Sequence, residues 1–381
     1  MIKCSYKEIS VKNKFLEEIE GFNQHFKYKT LNKTIKEILP IIKTCITGFI
    51  IKQSYLNKNL NNHFEISHTE TINDDEYVIL RLLGTGSYLK VELIYHIEKE
   101  KLLALKSANS EYYKIPDLIS REISNYNEIM YPFICKYIGT NKNKDKIFIE
   151  FINGSTLFNI TEIDLTDDEK IIIIFELLLA ISYLHRNNFI YRDLKPNNVM
   201  IDENKTVFLI DFDNLIKSTE NNNDQNHTKS FGSDFSAPEL NNDNFSYEVD
   251  IYSLGKMIYY IMTGKNPNQG EICIENENPK YSDIFKICKK CINNDPKQRP
   301  QMLEISDMLS KYNYKVRNSK FFQEKMQKYI DCLSNKNDIK AQYELGLTYF
   351  ILGNINKAIE YFTFAESQNY LNAQLILGEI Y

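Results

Sequence analysis

Several side chains in the middle of this chain have the types and spacing that phosphate chemistry needs. Tyr191-Arg192-Asp193-Leu194-Lys195-Pro196-Asn197-Asn198 puts a carboxylate, a cation and an amide into one short loop. Asp193 can accept or orient a hydroxyl proton, Lys195 can neutralise charge on a migrating phosphoryl group, and Asn198 can coordinate a divalent cation. Val207–Ile210 reads as a strand ending in Asp211-Phe212-Asp213, and a carboxylate at a strand end suits magnesium, which prefers oxygen. Upstream, Leu83-Gly84-Thr85-Gly86-Ser87-Tyr88-Leu89-Lys90-Val91 sets glycines between strands, where backbone N–H groups can approach phosphate oxygens. A G-x-G alone reads equally well as a hairpin turn. Ala104-Leu105-Lys106 follows at strand distance, and a lysine there is costly to bury without an anion. Glu122, on a helical stretch, is a candidate partner; a surface ion pair is the plainer alternative.

The elements that must position these groups follow from periodicity. Tyr77–Leu83, Lys90–His96 and Leu102–Ser107 read as strands, with turns at Gly84–Gly86 and Glu98–Lys101. A helix follows, with Ile119, Ile123, Tyr126 and Met130 on one face. Tyr137–Thr140 and Lys146–Phe151 complete a sheet lobe. Beyond Asn153-Gly154 the chain reads mainly as helix, including the apolar runs Glu169–Arg186 and Ile251–Met262. This is an α+β pattern with a sheet lobe carrying one helix, then a larger helical lobe.

Residues 1–70 read as a helical segment interrupted at Pro40, joined through the polar stretch His68–Asp75. Near the other end, Ala341, Leu345, Gly346 and Tyr349 recur as Ala373, Leu377, Gly378 and Tyr381. That repetition, over 320–381, is similar to tetratricopeptide and Sel-one-like helical repeats, with one full unit and the start of another. A single unit cannot bury its apolar face alone, so the expectation is either a neighbouring helix against it or a truncated relative of longer proteins.

Composition sets broad limits. The 381 residues are 43% hydrophobic and 25% charged, an ordinary globular balance, and the net charge of −5 disfavours nucleic acid as the main partner. Ile38–Ile51 is shorter than a membrane span and carries Lys43, so no span is expected. Seven scattered cysteines without a signal-peptide pattern fit a reducing, cytoplasmic setting. Cys288 and Cys291 form a C-x-x-C with no second ligand pair at metal spacing, which favours a structural role.

Taken in order, the motifs resemble the eukaryotic protein-kinase family of serine/threonine type over roughly residues 75–312. The glycine loop, Lys106 and Glu122 come first. Y-R-D-L-K-P-x-N resembles the catalytic loop, with Tyr191 in place of the usual histidine, and Asp211 matches the aspartate of D-F-G. Ala237-Pro238-Glu239 is an A-P-E, Asp250-x-x-Ser253-x-Gly255 opens the central helix of the large lobe, and Arg299 resembles the arginine that pairs with Glu239.

The resemblance implies a two-lobed kinase fold with ATP and Mg2+ as cofactors and proteins as substrates. Leu83, Gly84, Thr85, Gly86, Ser87, Val91 and Ala104 would line the nucleotide site. Glu150 and Ile152 would form the hinge at the adenine, with Ile149 guarding the back pocket. Lys106 would contact the α- and β-phosphates and be held by Glu122, Asn198 and Asp211 would hold magnesium, and Asp193 and Lys195 would be catalytic. Lys195, two residues after Asp193, resembles serine/threonine rather than tyrosine kinases. Arg192 would pair with a phosphate on Ser218, Thr219, Thr228 or Ser230, whereas a plain asparagine-rich loop tip is the other reading of that segment.

Four departures stand out. Leu89 replaces the third glycine, which should stiffen the loop. Asp213 replaces the glycine of D-F-G and adds negative charge near the metal. Tyr191 keeps an aromatic core contact. Gly232-Ser233-Asp234-Phe235-Ser236 is one residue short before Ala237, which bears on peptide-substrate geometry. The competing functions are a catalytically weak scaffold, a small-molecule kinase of the same fold and a helical-repeat adaptor. The N-terminal helices and the C-terminal repeat are the candidate partner surfaces.

Overall fold

The computed structural model describes residues 70–109 apart from 75, 87, 98 and 100, then 115–218, 233–241, 246–267, 279–309, 312, 320, 322–324, and 339–380 apart from 352. The helices expected before residue 70, Ser87, and Thr219, Thr228 and Ser230 lie outside the described residues.

A six-stranded sheet forms the smaller lobe. Its strands are β1 (Glu70–Thr71), β2 (Tyr77–Thr85), β3 (Leu89–His96), β4 (Lys101–Ala108), β5 (Tyr137–Thr140) and β6 (Lys146–Glu150), in the order β1-β5-β6-β4-β3-β2. Successive side chains on a strand point to opposite faces, and the sequence uses both. Leu103, Leu105 and Phe148 join Ile72, Tyr77 and Ile94 in a small outer core. Ala104, Ile147 and Ile149 turn the other way, toward helix α1 (Ile115–Glu128), which supplies Ile119, Ile123 and Tyr126. Lys106 shares the parity of Ala104 and so faces α1.

Three local expectations need correction. The segment His68–Asp75 is not all linker, because Glu70 and Thr71 pair in parallel with Gly139 and Thr140. The turn expected at Gly84–Gly86 starts later. Strand β2 continues through Gly84 and Thr85 after a register shift, and the Gly86 N–H donates to the Leu89 carbonyl at 2.7 Å. Met130 is not on the buried helical face; α1 ends at Glu128 and Met130 is 38% exposed.

The larger lobe is built on α2 (Asp167–Arg186) and α3 (Glu248–Thr263). Helix α2 starts at a reciprocal cap between Thr166 and Glu169, which satisfies two N-terminal amides. It is buried around most of its circumference, as its apolar run requires. The short strands β7 (Gly154–Thr156), β9 (Val199–Asp202) and β10 (Val207–Leu209) form one sheet. A second pairs β8 (Phe189–Ile190) with β11 (Ile216–Lys217). Helices α4 (Ser282–Cys291) and α5 (Met302–Met308) follow. Near the C-terminus, α6 (Ile339–Ile351) contributes Leu345 and Ile351 to the large-lobe core, while α7 (Ile355–Ser367) and α8 (Leu371–Ile380) pack with it around Leu347, Phe362 and Leu377.

Cys288 and Cys291 are buried on α4 against α3. A Cβ built on Gly255 of α3 would lie 2.5 Å from Cys291 Cβ and 3.2 Å from the Cys288 carbonyl oxygen. Glycine is therefore what lets these helices approach. Gly255→Ala is expected to destabilise the protein by about 1–3 kcal/mol through overpacking, read as a lower midpoint in denaturant unfolding. An unchanged midpoint would show that the α3–α4 contact can yield.

Candidate functional site

Three elements bring the charged groups together. Strand β4 carries Lys106, α1 carries Glu122, and the segment after β10 carries Asp211. Lys106 Nζ donates to Glu122 Oε1 at 2.5 Å and to Asp211 Oδ1 at 2.9 Å. Burial disfavours the Lys106 ammonium, but Asp211 and Glu122 outweigh it and hold its pKa above the ordinary lysine value. Burial also pushes up on Asp211, yet the ammonium beside it keeps that carboxyl below its usual range. Glu122, with no solvent exposure, is raised by burial. The backbone N–H of Phe212 reaches Glu122 Oε1 at 3.5 Å. Asn125, one turn along α1, donates to the carbonyls of Phe212 and Leu215 at 3.1 Å each.

The second group lies in the loop between β8 and β9. Lys195 Nζ bridges both carboxylate oxygens of Asp193, at 2.9 and 2.8 Å. Asn198 Nδ2 donates to the Asp193 carbonyl and to its Oδ2 at 2.9 and 2.8 Å. Burial raises the Asp193 pKa and Lys195 opposes it. The loop is anchored by Asp250 at the start of α3, a fully buried carboxylate. Its Oδ1 accepts from the Arg192 N–H at 2.8 Å, and its Oδ2 from the Tyr191 N–H and His185 Nε2 at 2.8 Å each. That anchoring supports unusual backbone at Arg192, at φ +67°, and Asp211 after β10 sits at φ +68°, in the same region costly for residues other than glycine.

The nucleotide-site candidates fall where the strands put them. Val91 lies opposite Lys106, and Ala104 lies between Leu93 and Ile149 in register. Leu83, Gly84, Thr85 and Gly86 run along the end of β2 and the turn to β3. Leu89 is the first residue of β3, opposite Ala108, rather than part of the turn. Glu150 accepts the Lys136 N–H on its carboxylate at 2.6 Å and donates its own N–H to the Lys136 carbonyl at 2.9 Å; Ile152, two residues on, is buried.

Asp213 does not take a left-handed conformation, so replacing glycine there incurs no penalty of that kind. Its consequence is electrostatic. Burial and the nearby Asp211 and Glu122 push its carboxyl up to about 7. Among the described residues its Oδ1 is buried without a hydrogen-bond partner. Tyr191 is fully buried, donates to the Ile210 carbonyl and packs edge-on against Phe212 at 5.7 Å. The short Ser233–Ser236 segment closes on itself, with the two hydroxyls 3.0 Å apart and Phe235 packed on Tyr260. Beyond it, Arg299 Nη2 meets Glu239 Oε2 at 2.9 Å and Nη1 meets Oε1, with the guanidinium over the Tyr252 ring.

Asp250 and Asn125 were not among the expected site residues, because neither touches the reacting region. Asp250 carried a signal as a carboxylate opening an apolar helix, whereas Asn125, among the polar residues of Arg121–Glu128, carried none.

Residues 77–340 match the family described as protein kinase domain. The chain is 28% identical over 245 residues to a probable serine/threonine-protein kinase of Dictyostelium discoideum, covering 60% of this chain and 40% of that protein. It is 31% identical over 228 residues to the SNF1-like protein kinase ssp2 of Schizosaccharomyces pombe, covering 57% and 37%. It is also 31% identical over 227 residues to the carbon catabolite-derepressing protein kinase of Saccharomyces cerevisiae, covering 56% and 35%. The matched region thus spans less than half the length of each of these relatives. With the family match extending over more than half of its own residues, and the ion pairs joining sheet lobe to helical lobe, the chain belongs to the protein kinase domain family.

Proposed function

We propose that this chain is a serine/threonine protein kinase that transfers the γ-phosphate of ATP to a hydroxyl group of a protein, with Mg2+ as metal. The observation that carries the reading is Lys106 Nζ held between Glu122 and Asp211, which gives the site a fixed, desolvated cation. The donors suit magnesium: an Asp211 carboxylate kept ionised by Lys106, and the amide oxygen of Asn198. Magnesium-bound ATP supplies the electrophilic phosphoryl group and neutralises charge on it.

The remaining work falls to the chain's own groups. Lys106 holds the α- and β-phosphates in place. Asp193 orients the incoming hydroxyl and takes its proton on a carboxylate oxygen, and burial makes that oxygen more basic. Lys195 neutralises charge beside it. The backbone of Gly84, Thr85 and Gly86 would cover the phosphates, while Leu83, Val91, Ala104, Glu150 and Ile152 would enclose the base. Such a site accelerates transfer mainly by positioning and electrostatics. Lys195 and the naming of the Dictyostelium relative support serine/threonine as the acceptor class. A phosphate on Ser218 or in residues 219–232 pairs with Arg192 in this scheme.

Residues 75–312 carry this activity, in a cytoplasmic protein whose segments 1–70 and 320–381 serve partner binding. No helix among the described residues is long and apolar enough to cross a membrane. The helical-repeat reading of the C-terminal segment is supported by Gly346, where a Cβ would lie 2.4 Å from the Phe362 ring. The exposed Leu371 and Leu375 on α8 support a protein-contact role.

The scaffold alternative rests on Leu89 and Asp213, and Lys106, Asp193, Asn198 and Asp211 argue against it. Radiolabelled ATP with generic protein substrates distinguishes them. Asp193→Asn is expected to lower transfer about 10²–10⁴-fold while nucleotide binding persists. Equal transfer by wild type and variant, with nucleotide bound by both, would leave the scaffold reading.

Asp213 yields a pH dependence. Its folded pKa, about 7, lies above the unfolded value of 3.8. The unfolded chain therefore ionises first, and stability falls as pH rises from about 4 to about 7, then levels, by at most about 1.4 kcal/mol per pH unit. In chelator without nucleotide, Asp213→Asn is expected to exceed wild type in stability at pH 8 and to converge with it near pH 4. Parallel stability curves would contradict this.

A further inference from the structure

Helix α6 does more than cover the large lobe. Its buried face meets the loop that joins α1 to β5. The Tyr131 hydroxyl lies 3.0 Å from Thr348 Oγ1, and Thr348 in turn donates to the Glu344 carbonyl at 2.9 Å, so the tyrosine is the donor in this chain. One turn away, Glu344 Oε2 accepts from Arg186 Nε and Nη2 at 3.1 and 2.7 Å. Thr348 is fully buried and Glu344 nearly so. At the end of α6, Ser306 of α5 donates to the Ile351 carbonyl at 2.8 Å.

The loop held in this way is connected to the site at both ends. Tyr131 stacks on Tyr183 of α2 at 4.5 Å, and the Tyr183 hydroxyl accepts the Met130 N–H. Leu209 N–H donates to the Phe133 carbonyl at 2.8 Å and Cys135 N–H to the Leu209 carbonyl at 2.9 Å. Leu209 closes β10, two residues before Asp211. On the other side, α1 ends at Glu128, and the same helix carries Glu122. Both carboxylates that hold Lys106 are therefore attached to the loop that α6 grips.

We infer that α6 is a positioning element for the kinase site, acting through the Tyr131–Thr348 contact to hold α1 and the Asp211 segment in the arrangement that shares Lys106. Tyr131 and Thr348 are positioning residues, since neither touches the reacting groups. The inference rests on the Lys106 array being the nucleotide site.

The test uses the full chain with Thr348→Val, Tyr131→Phe, the double variant, and Thr348→Ser, which keeps the hydroxyl. Three readouts are taken: equilibrium binding of magnesium-ATP, hydrogen exchange of amides 119–135, and phosphate transfer. The expected result is ATP affinity weakened about fivefold or more in Thr348→Val, with faster exchange in α1. Tyr131→Phe, which leaves Thr348 bonded to Glu344, should show the same direction, the double variant should add little, and Thr348→Ser should restore binding. A lower unfolding midpoint with ATP affinity and α1 exchange unchanged would overturn the inference, leaving a purely structural contact. Should wild type bind ATP yet transfer no phosphate, the kinase reading fails while the binding and exchange comparisons still decide the role of α6.

Discussion

A lysine side chain removed from water must find negative charge, and much of this molecule is arranged to supply it. At an effective dielectric near 20, two unit charges about 4 Å apart attract by about 4 kcal/mol. Leaving one partner of a buried pair unmatched costs about 3–5 kcal/mol. Lys106 has two carboxylates, and they come from different lobes: Glu122 from the helix on the sheet, Asp211 from the strand end of the helical lobe. The lobes can close in few ways that satisfy both bonds. Asn125 reinforces the same closure, since its two hydrogen bonds tie α1 directly to the backbone around Phe212.

The Tyr191–Asn198 loop solves a different problem with the same device. Arg192 and Asp211 hold backbone conformations that side chains resist, which persist only where the surroundings over-determine them. Asp250 provides that for the loop by accepting two consecutive backbone amides and the His185 ring. A charged group with no solvent exposure at the start of an apolar helix is stable here because three donors replace its water. Asp193 can then be held by Lys195 and Asn198 without depending on a mobile backbone.

Much of this was legible in the chain itself. Asp193, Lys195 and Asn198 are close in sequence, so their proximity in space follows from chain length alone. Lys106 was readable as a lysine closing an apolar strand and in need of an anion, and Glu122 as a candidate for it on the helix that follows. What escaped was whatever depends on distant segments meeting. Strand β1 is two residues long and has no periodicity to detect; it exists because Gly139 leaves room, with a Cβ there falling 2.1 Å from the Glu70 carbonyl oxygen. Met130 fits the helical phase, but the chain leaves the helix at Glu128 to reach Tyr131, whose partners Tyr183 and Thr348 lie far along the sequence. Asp250 was visible as part of a motif, yet the amides it binds are revealed only by the fold.

The two glycine replacements show why residue identity must be judged with dihedral angle. Leu89 sits in a paired strand opposite Ala108, where a side chain is ordinary. Asp213 sits at a backbone conformation open to any residue, whereas Asp211, the aspartate that does adopt positive φ, belongs to a type that tolerates it. Neither substitution is therefore resisted by the backbone. The effect of Asp213 is long-range and electrostatic: with Glu122, Asp193 and Asp211 it makes four carboxyl groups around Lys106 and Lys195. A site so weighted toward negative charge favours protonation of its least supported carboxyl, and Asp213, with an unpartnered buried oxygen, is that group. A cation placed there would relieve the same repulsion, and at a φ that is not positive the substitution gives the backbone no reason to move.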